Sequence, residues 1–218
     1  MKLYSHPYAP NPKRLAIFLN EKGIKVNTVF VDFMKGATKH PDFTKLNPFQ
    51  RLPVLELDDG TILSETVAIC RYFEEMNPLK SMFGLMAIER AEVEMWQRRA
   101  ELYCFLPVVN IFRHLHPAMK ELEQPQVRAW GEANRPKVFE AMRIMNSRLQ
   151  SVPYLAGERF SIADITLYCA LDFCKPIRVA IPNHLTHLIK YYETLQERPA
   201  IMKLKEAQQA KQAQQAKA

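Results

Sequence analysis

Over the first third of the chain hydrophobic residues come in short runs broken by turn-forming residues, and over the rest they recur at helical spacing. Residues 1–5 read as a strand. Leu15, Ala16, Phe18 and Leu19 then follow a helical period, framed by Asn11 as a favoured N-cap, Pro12 as a favoured first helical residue and Gly23 just past the end. Residues 26–33 read as a second strand, giving β-α-β with a right-handed crossover if the strands are parallel. A polar connection over 34–48, with Gly36, Pro41 and Pro48, leads to Val54, Leu55 and Leu57, the turn Asp58-Asp59-Gly60 and a returning strand Thr61-Ile62-Leu63. Ser64 is placed to cap a helix with apolar positions Val67, Ala68, Cys70, Tyr72 and Phe73, stopped by Asn77-Pro78.

Beyond a linker at 77–83 the pattern is helical throughout. Residues 88–115 form one long run in which Pro107 is expected to bend the helix, and 127–149 form another. Ser161-Ile162-Ala163-Asp164 has capping-box spacing ahead of Ile165, Leu167, Tyr168, Ala170 and Leu171. The expected architecture is an α/β N-terminal domain over 1–78, an all-α domain over 84–202 and a tail over 203–218. The Ala, Gln and Lys of that tail favour helix but offer no apolar face, so it is expected to be frayed or disordered, with no catalytic role.

Composition narrows the function classes. A chain of 218 residues that is 48% hydrophobic with 6 glycines can bury a real core. The first residues lack the features of a signal peptide, and no apolar run approaches the ~20 residues of a membrane span, so no membrane partner and a cytoplasmic location are expected. The net charge of +7 owes +3 to the tail, and no basic helix interleaved with aromatics suggests nucleic acid. Cys70, Cys104, Cys169 and Cys174 lack metal-site spacing and read as reduced, buried hydrophobes, with a catalytic cysteine as the alternative.

Chemistry concentrates at two points of the hairpin. Proline forces Leu52 into extended geometry at a strand start, leaving backbone with which an extended peptide can pair. A few residues on, the helix start supplies free N–H groups and positive dipole charge for a carboxylate, and Glu65 can receive an ammonium. Together these suit an amino-acid head group.

The run LPVLELDDGTILSETVAICRY over 52–72 resembles the N-terminal domain of cytosolic glutathione transferases. Tyr154-Leu155-Ala156-Gly157 followed by the capping box resembles their C-terminal domain, so the likeness spans about residues 1–200. K-G-x-x-K-x-P-x-F from Lys35, R-A-E-x-E-M-W from Arg90 and A-D-I-T from Ala163 are most similar to the bacterial and yeast type-II-like enzymes. The resemblance implies a thioredoxin-like first domain, glutathione as co-substrate, no metal and a homodimer. It implies that backbone at Leu52, before a cis Pro53, pairs with the cysteinyl part of glutathione. Glu65 and Thr66 would hold the γ-glutamyl head, and Lys39, Gln50 and Arg51 the glycine end. Thr38 stands where some relatives have histidine.

The implied reaction is conjugation of the glutathione thiolate to small hydrophobic electrophiles, or a glutathione-dependent peroxide or disulfide reduction. Ala9 occupies the position of the family's usual thiol-activating serine and offers no donor. Asn11 either donates to the sulfur or caps its helix, and Tyr8 is a second candidate donor. Tyr103, Phe112, His114, His116 and Phe173 are the candidates for an electrophile pocket, with His114 or His116 able to hold a proton-accepting water. Phe49 stands where some relatives insert an aromatic into the partner subunit. The loss of the serine leaves a second class open, a glutathione-binding or structural homologue without catalysis.

Overall fold

The computed structural model describes residues 1–215 and resolves two compact units, one of residues 1–80 with the segment from Glu197 onward and one of residues 81–196. In the first unit, strands β1 (Lys2–Ser5), β2 (Asn27–Phe30), β3 (Val54–Glu56) and β4 (Ile62–Ser64) form a sheet in the order β2-β1-β3-β4. β1 is parallel to β2, and β3 is antiparallel to both β1 and β4. Helices α1 (Pro10–Lys22) and α3 (Thr66–Met76) pack against each other, burying Leu15, Phe18, Ile69 and Phe73. A short helix α2 (Pro41–Leu46) brings Phe43 into a cluster with Val31, Leu52 and Val54. The α/β sheet expected of the first domain is present.

The register fixes where the site must be. Tyr4 is opposite Val54 and Val54 opposite Ser64, so the C-terminal ends of β1, β2 and β4 meet the N-terminal end of β3 at one edge of the sheet. Both α1 and α3 start from that edge, which therefore carries the positive ends of two helix dipoles.

Local structure departs from the sequence expectations at both helix starts. α1 begins at Pro10, with Ala9 as an N-cap that makes no side-chain bond, so Asn11 lies inside the first turn and is not the cap. Proline at the first helical position is preorganised at φ near −65°, and the N–H missing at Pro12 is one that has no helical partner anyway. Ser64 ends β4 and does not cap α3; Glu65 intervenes with φ 68° and ψ 120°.

The tail expectation is corrected as well. Helix α10 (Pro199–Gln215) runs through residues 203–215 and belongs to the first unit, packed on α1, so the helical domain ends before the expected residue 202. Arg198 pairs with both carboxylate oxygens of Glu21 at 2.8 and 3.0 Å, Asn20 Nδ2 donates to the Ala200 carbonyl, and Ile201 is fully buried. This anchored first turn removes the nucleation cost, after which good helix formers propagate. Residues 216–218 of the expected tail lie outside the described residues.

The second unit is helical: α4 (Ala87–Arg99), α5 (Leu106–Leu115), α6 (Arg128–Ala133), α7 (Arg135–Arg148), α8 (Ile162–Asp172) and α9 (Thr186–Gln196). The long run 88–115 stays helical, but a π-helical stretch over Ala100–Phe105 absorbs Pro107, whose missing N–H and ring do not fit an α ladder. The expected single helix over 127–149 is split at Asn134, ahead of Pro136. A Cβ on Gly131 would lie 2.7 Å from Leu115, so only glycine permits this approach of α6 to α5. The capping box at Ser161 forms as expected. Among the described residues no helix is long and apolar enough to cross a membrane.

Candidate functional site

At the sheet edge, the Leu52–Pro53 bond is cis, and Pro53 and Glu65 each extend one residue beyond the Val54–Ser64 pair. Val54–Ser64 is the last pair of the ladder, so Leu52-Pro53 and Glu65 both leave the hairpin at the same open end of the sheet. The Glu65 side chain is exposed, Thr66 behind it is buried, and no side chain caps α3. A positive φ at a non-glycine residue costs of order 1–3 kcal/mol and persists where surrounding structure enforces it. Gln50, with φ 55°, shares this feature.

The turn bearing Gln50 and Arg51 is organised by Asn47, a buried residue overlooked in the sequence. Its Nδ2 donates to the Arg51 carbonyl at 2.9 Å and its Oδ1 accepts from Phe49 N–H at 3.0 Å. The asparagine just before Pro48 was the available clue, as such pairs initiate turns. Phe49 is 75% exposed at the tip, and Arg51 is exposed. Lys39 is exposed at the end of the 3-10 turn Ala37–Lys39, beside buried Thr38.

The β1–α1 turn is built around a second overlooked residue, His6. It is buried against Tyr8, Phe30 and Phe33, with ring centroids 5.8, 5.2 and 4.8 Å away, and its Nδ1 accepts from Tyr8 N–H at 3.3 Å. Burial holds its pKa below the usual imidazole value, partly opposed by the negative charge of Asp32. The helix α10 also grips this turn: Tyr8 Oη donates to the Gln208 carbonyl at 3.4 Å, and Gln208 Nε2 donates to the Pro7 carbonyl. Ala9 is buried. Asn11 is half-buried, and its Oδ1 accepts from Arg14 Nη1 at 3.0 Å.

In the second unit three of the five aromatic candidates come together. Phe112 stacks on His116 at 4.6 Å and meets Phe173 at 4.9 Å. His116 Nδ1 also accepts from Ala118 N–H, capping a 3-10 turn at Pro117–Met119. His114 Nδ1 accepts from Val127 N–H at 3.1 Å, while its Nε2 lies 4.0 Å from Glu123. Tyr103, 64% exposed, stands apart and lines a groove of about 650 Å³ with Leu102, Leu106, Trp130 and Ile144. All four cysteines are buried thiols outside any disulfide, and burial pushes the Cys104 thiol up to about 12, far from thiolate chemistry at neutral pH.

A mixed sheet with open helix starts at one edge, followed by an all-helical unit, defines the architecture of the glutathione transferases. The family model for the glutathione S-transferase N-terminal domain matches residues 1–75, and that for the C-terminal domain matches 105–199. Glutathione S-transferase 2 of Saccharomyces cerevisiae is 35% identical over 94% of this chain and 90% of its own. The crystal structure of Gtt2 from Saccharomyces cerevisiae superposes with a TM-score of 0.90 at 35% identity, covering 94% of this chain and all of that one (100%). A Gtt2-class glutathione S-transferase of Vibrio parahaemolyticus gives 0.83 at 32% identity over 94% and 96%. The chain belongs to the glutathione S-transferase family.

Proposed function

We propose that this protein is a cytoplasmic glutathione transferase that joins the glutathione thiolate to small hydrophobic electrophiles, with peroxide or disulfide reduction by the same thiolate as a related activity. The observation that supports this reading is that cis Leu52–Pro53 and Glu65 flank Val54–Ser64, the last pair of the hairpin, at the start of α3. The γ-glutamyl carboxylate sits at the N–H groups of α3, its ammonium on Glu65, with Thr66 beside them. The cysteinyl amide pairs with Leu52 backbone, and Lys39, Gln50 and Arg51 take the glycine carboxylate.

That frame delivers the sulfur toward the β1–α1 turn. A free thiol has pKa about 8.5, and lowering it by one to two requires about 1.4 to 3 kcal/mol. The start of α1 and one donor have that magnitude, and Asn11, inside the first turn, supplies the donor in place of Ala9. The thiol proton leaves to solvent; the thiolate attacks, for instance, the chlorine-bearing carbon of a chlorodinitrobenzene, forming a C–S bond and releasing chloride. Within the second unit Phe112, His116 and Phe173 form an apolar aromatic cluster of the kind that accepts such a ring. His114 and His116 use Nδ1 as an acceptor within the fold, leaving only Nε2 for a proton-holding role. Exposed Phe49 is the proposed anchor of a homodimer.

The absence of a donor at Ala9 favours one rival, a glutathione-binding homologue without turnover. Mixing the protein with glutathione and chlorodinitrobenzene and following the conjugate tests the choice. Conjugate above the spontaneous rate supports the transferase. Calorimetric binding of glutathione without turnover of electrophile, peroxide or disulfide establishes the rival, and no binding rejects both.

A further inference from the structure

Arg14 heads the fully buried side chains among the described residues, 1% exposed, on the inner face of α1. A guanidinium so far from water must be compensated by hydrogen bonds or nearby charge to be retained. Its Nη1 donates to Asn11 Oδ1 at 3.0 Å, one helical turn earlier. Arginine carries donors and no acceptor, so the asparagine oxygen must be the atom that faces it. The amide is planar; fixing its oxygen inward turns Nδ2, with two donors, the other way. Among the described residues nothing accepts from Nδ2. Asn11 makes no capping bond that would account for its place, since the helix begins at Pro10.

We propose that Arg14 is a positioning residue that locks the Asn11 amide in the donor orientation, so that Nδ2 is presented to the sulfur of bound glutathione in place of the hydroxyl that Ala9 lacks. The inference rests on the glutathione reading of the sheet edge. Arg14 also acts electrostatically on Cys70, where Glu74 opposes it; Glu74 and Lys22, 2.7 Å apart, are the other charges at the interface of α1 and α3.

Arg14→Met keeps the bulk, removes charge and donors, and frees the amide to rotate. Ultraviolet titration of the thiolate band should show the bound thiol's pKa rising by about one in this variant. Affinity for S-methylglutathione, which has no thiol proton, should change by less than about threefold. In an Asn11→Ala background, Arg14→Met should add nothing; an additive rise would mean that Arg14 acts by its charge alone and would overturn the positioning role. An unmoved pKa in Arg14→Met overturns it too. Asn11→Asp guards against misfolding of the buried variant: it keeps the acceptor for Arg14 but replaces the outward donor by an acceptor, and should raise the thiol pKa above that of Asn11→Ala. An equal or lower value in Asn11→Asp rejects the proposal. If the wild-type protein binds no glutathione, the reading of the sheet edge fails and takes this inference with it; if it binds and ionises glutathione but the variants match it, only the role of Arg14 fails.

Discussion

Helices α3 and α8 both follow closely on a serine, and they treat their unpaired N–H groups in opposite ways. At α8 the end is closed from within: buried Asp164 accepts from Ser161 N–H and Oγ–H at 2.8 and 2.9 Å, from Leu155 N–H at 2.8 Å and from Tyr191 Oη–H at 2.7 Å. Burial pushes the Asp164 carboxyl pKa up, and these donors work against that rise. At α3, Glu65 separates Ser64 from the helix, and its side chain makes no capping bond to the first turn. A closed end stabilises the fold; an open end, kept open at the cost of a positive φ, is available to a ligand.

The contrast predicts a graded series. Asp164→Ala strands several buried donors at once and should cost about 4 kcal/mol in urea unfolding; a loss below about 1 kcal/mol would mean that the network contributes little. Glu65→Gly should weaken glutathione binding by about 1.5 to 3 kcal/mol on a calorimeter while stabilising the free protein by about 1 kcal/mol through relief of backbone strain. If both quantities fall together, Glu65 supports the fold and is not held open for a ligand.

The open start of α1 should respond to acid. Because His6 has a folded pKa below its unfolded value of about 6.5, the unfolded chain takes up its proton first. Its contribution to stability is intact above about pH 6.5 and declines as pH falls from there toward the folded pKa. His6→Gln should flatten the fall of melting temperature over that window, and an unchanged slope would assign acid sensitivity elsewhere. The smallest effect separates the two serines: Ser161→Ala should cost about 1 kcal/mol, Ser64→Ala less than about 0.5, as measured by urea midpoints. Equal losses would restore Ser64 as a cap.

Much of this was written in discrete local chemistry. Proline, glycine and the Ser-x-x-Asp spacing marked the hairpin, the cis-proline strand and the closed α8 because each acts through one or two neighbouring residues. What escaped depends on tertiary surroundings. His6 and Arg14 are polar residues in positions whose burial no local pattern reveals, and the order of α10 comes from its contacts with α1. Tyr103 and Phe112 share aromatic character but not surroundings, since exposed Tyr103 lies in the π-helical stretch and lines the groove while Phe112 packs on His116 and Phe173. Asn11 was misplaced as a cap because two prolines compete for the start of α1, and the earlier one won.

The membership of α10 in the first unit has a consequence for how the protein is made. The ribosome delivers the sheet, α1 and α3 first, then the whole of residues 81–196, and only afterwards the segment whose Gln208 holds Pro7 and whose carbonyl receives the Tyr8 hydroxyl. A nascent chain halted before α10 carries a β1–α1 turn without that support, so this turn is among the last parts of the molecule to be completed in biosynthesis, although its residues are among the first translated.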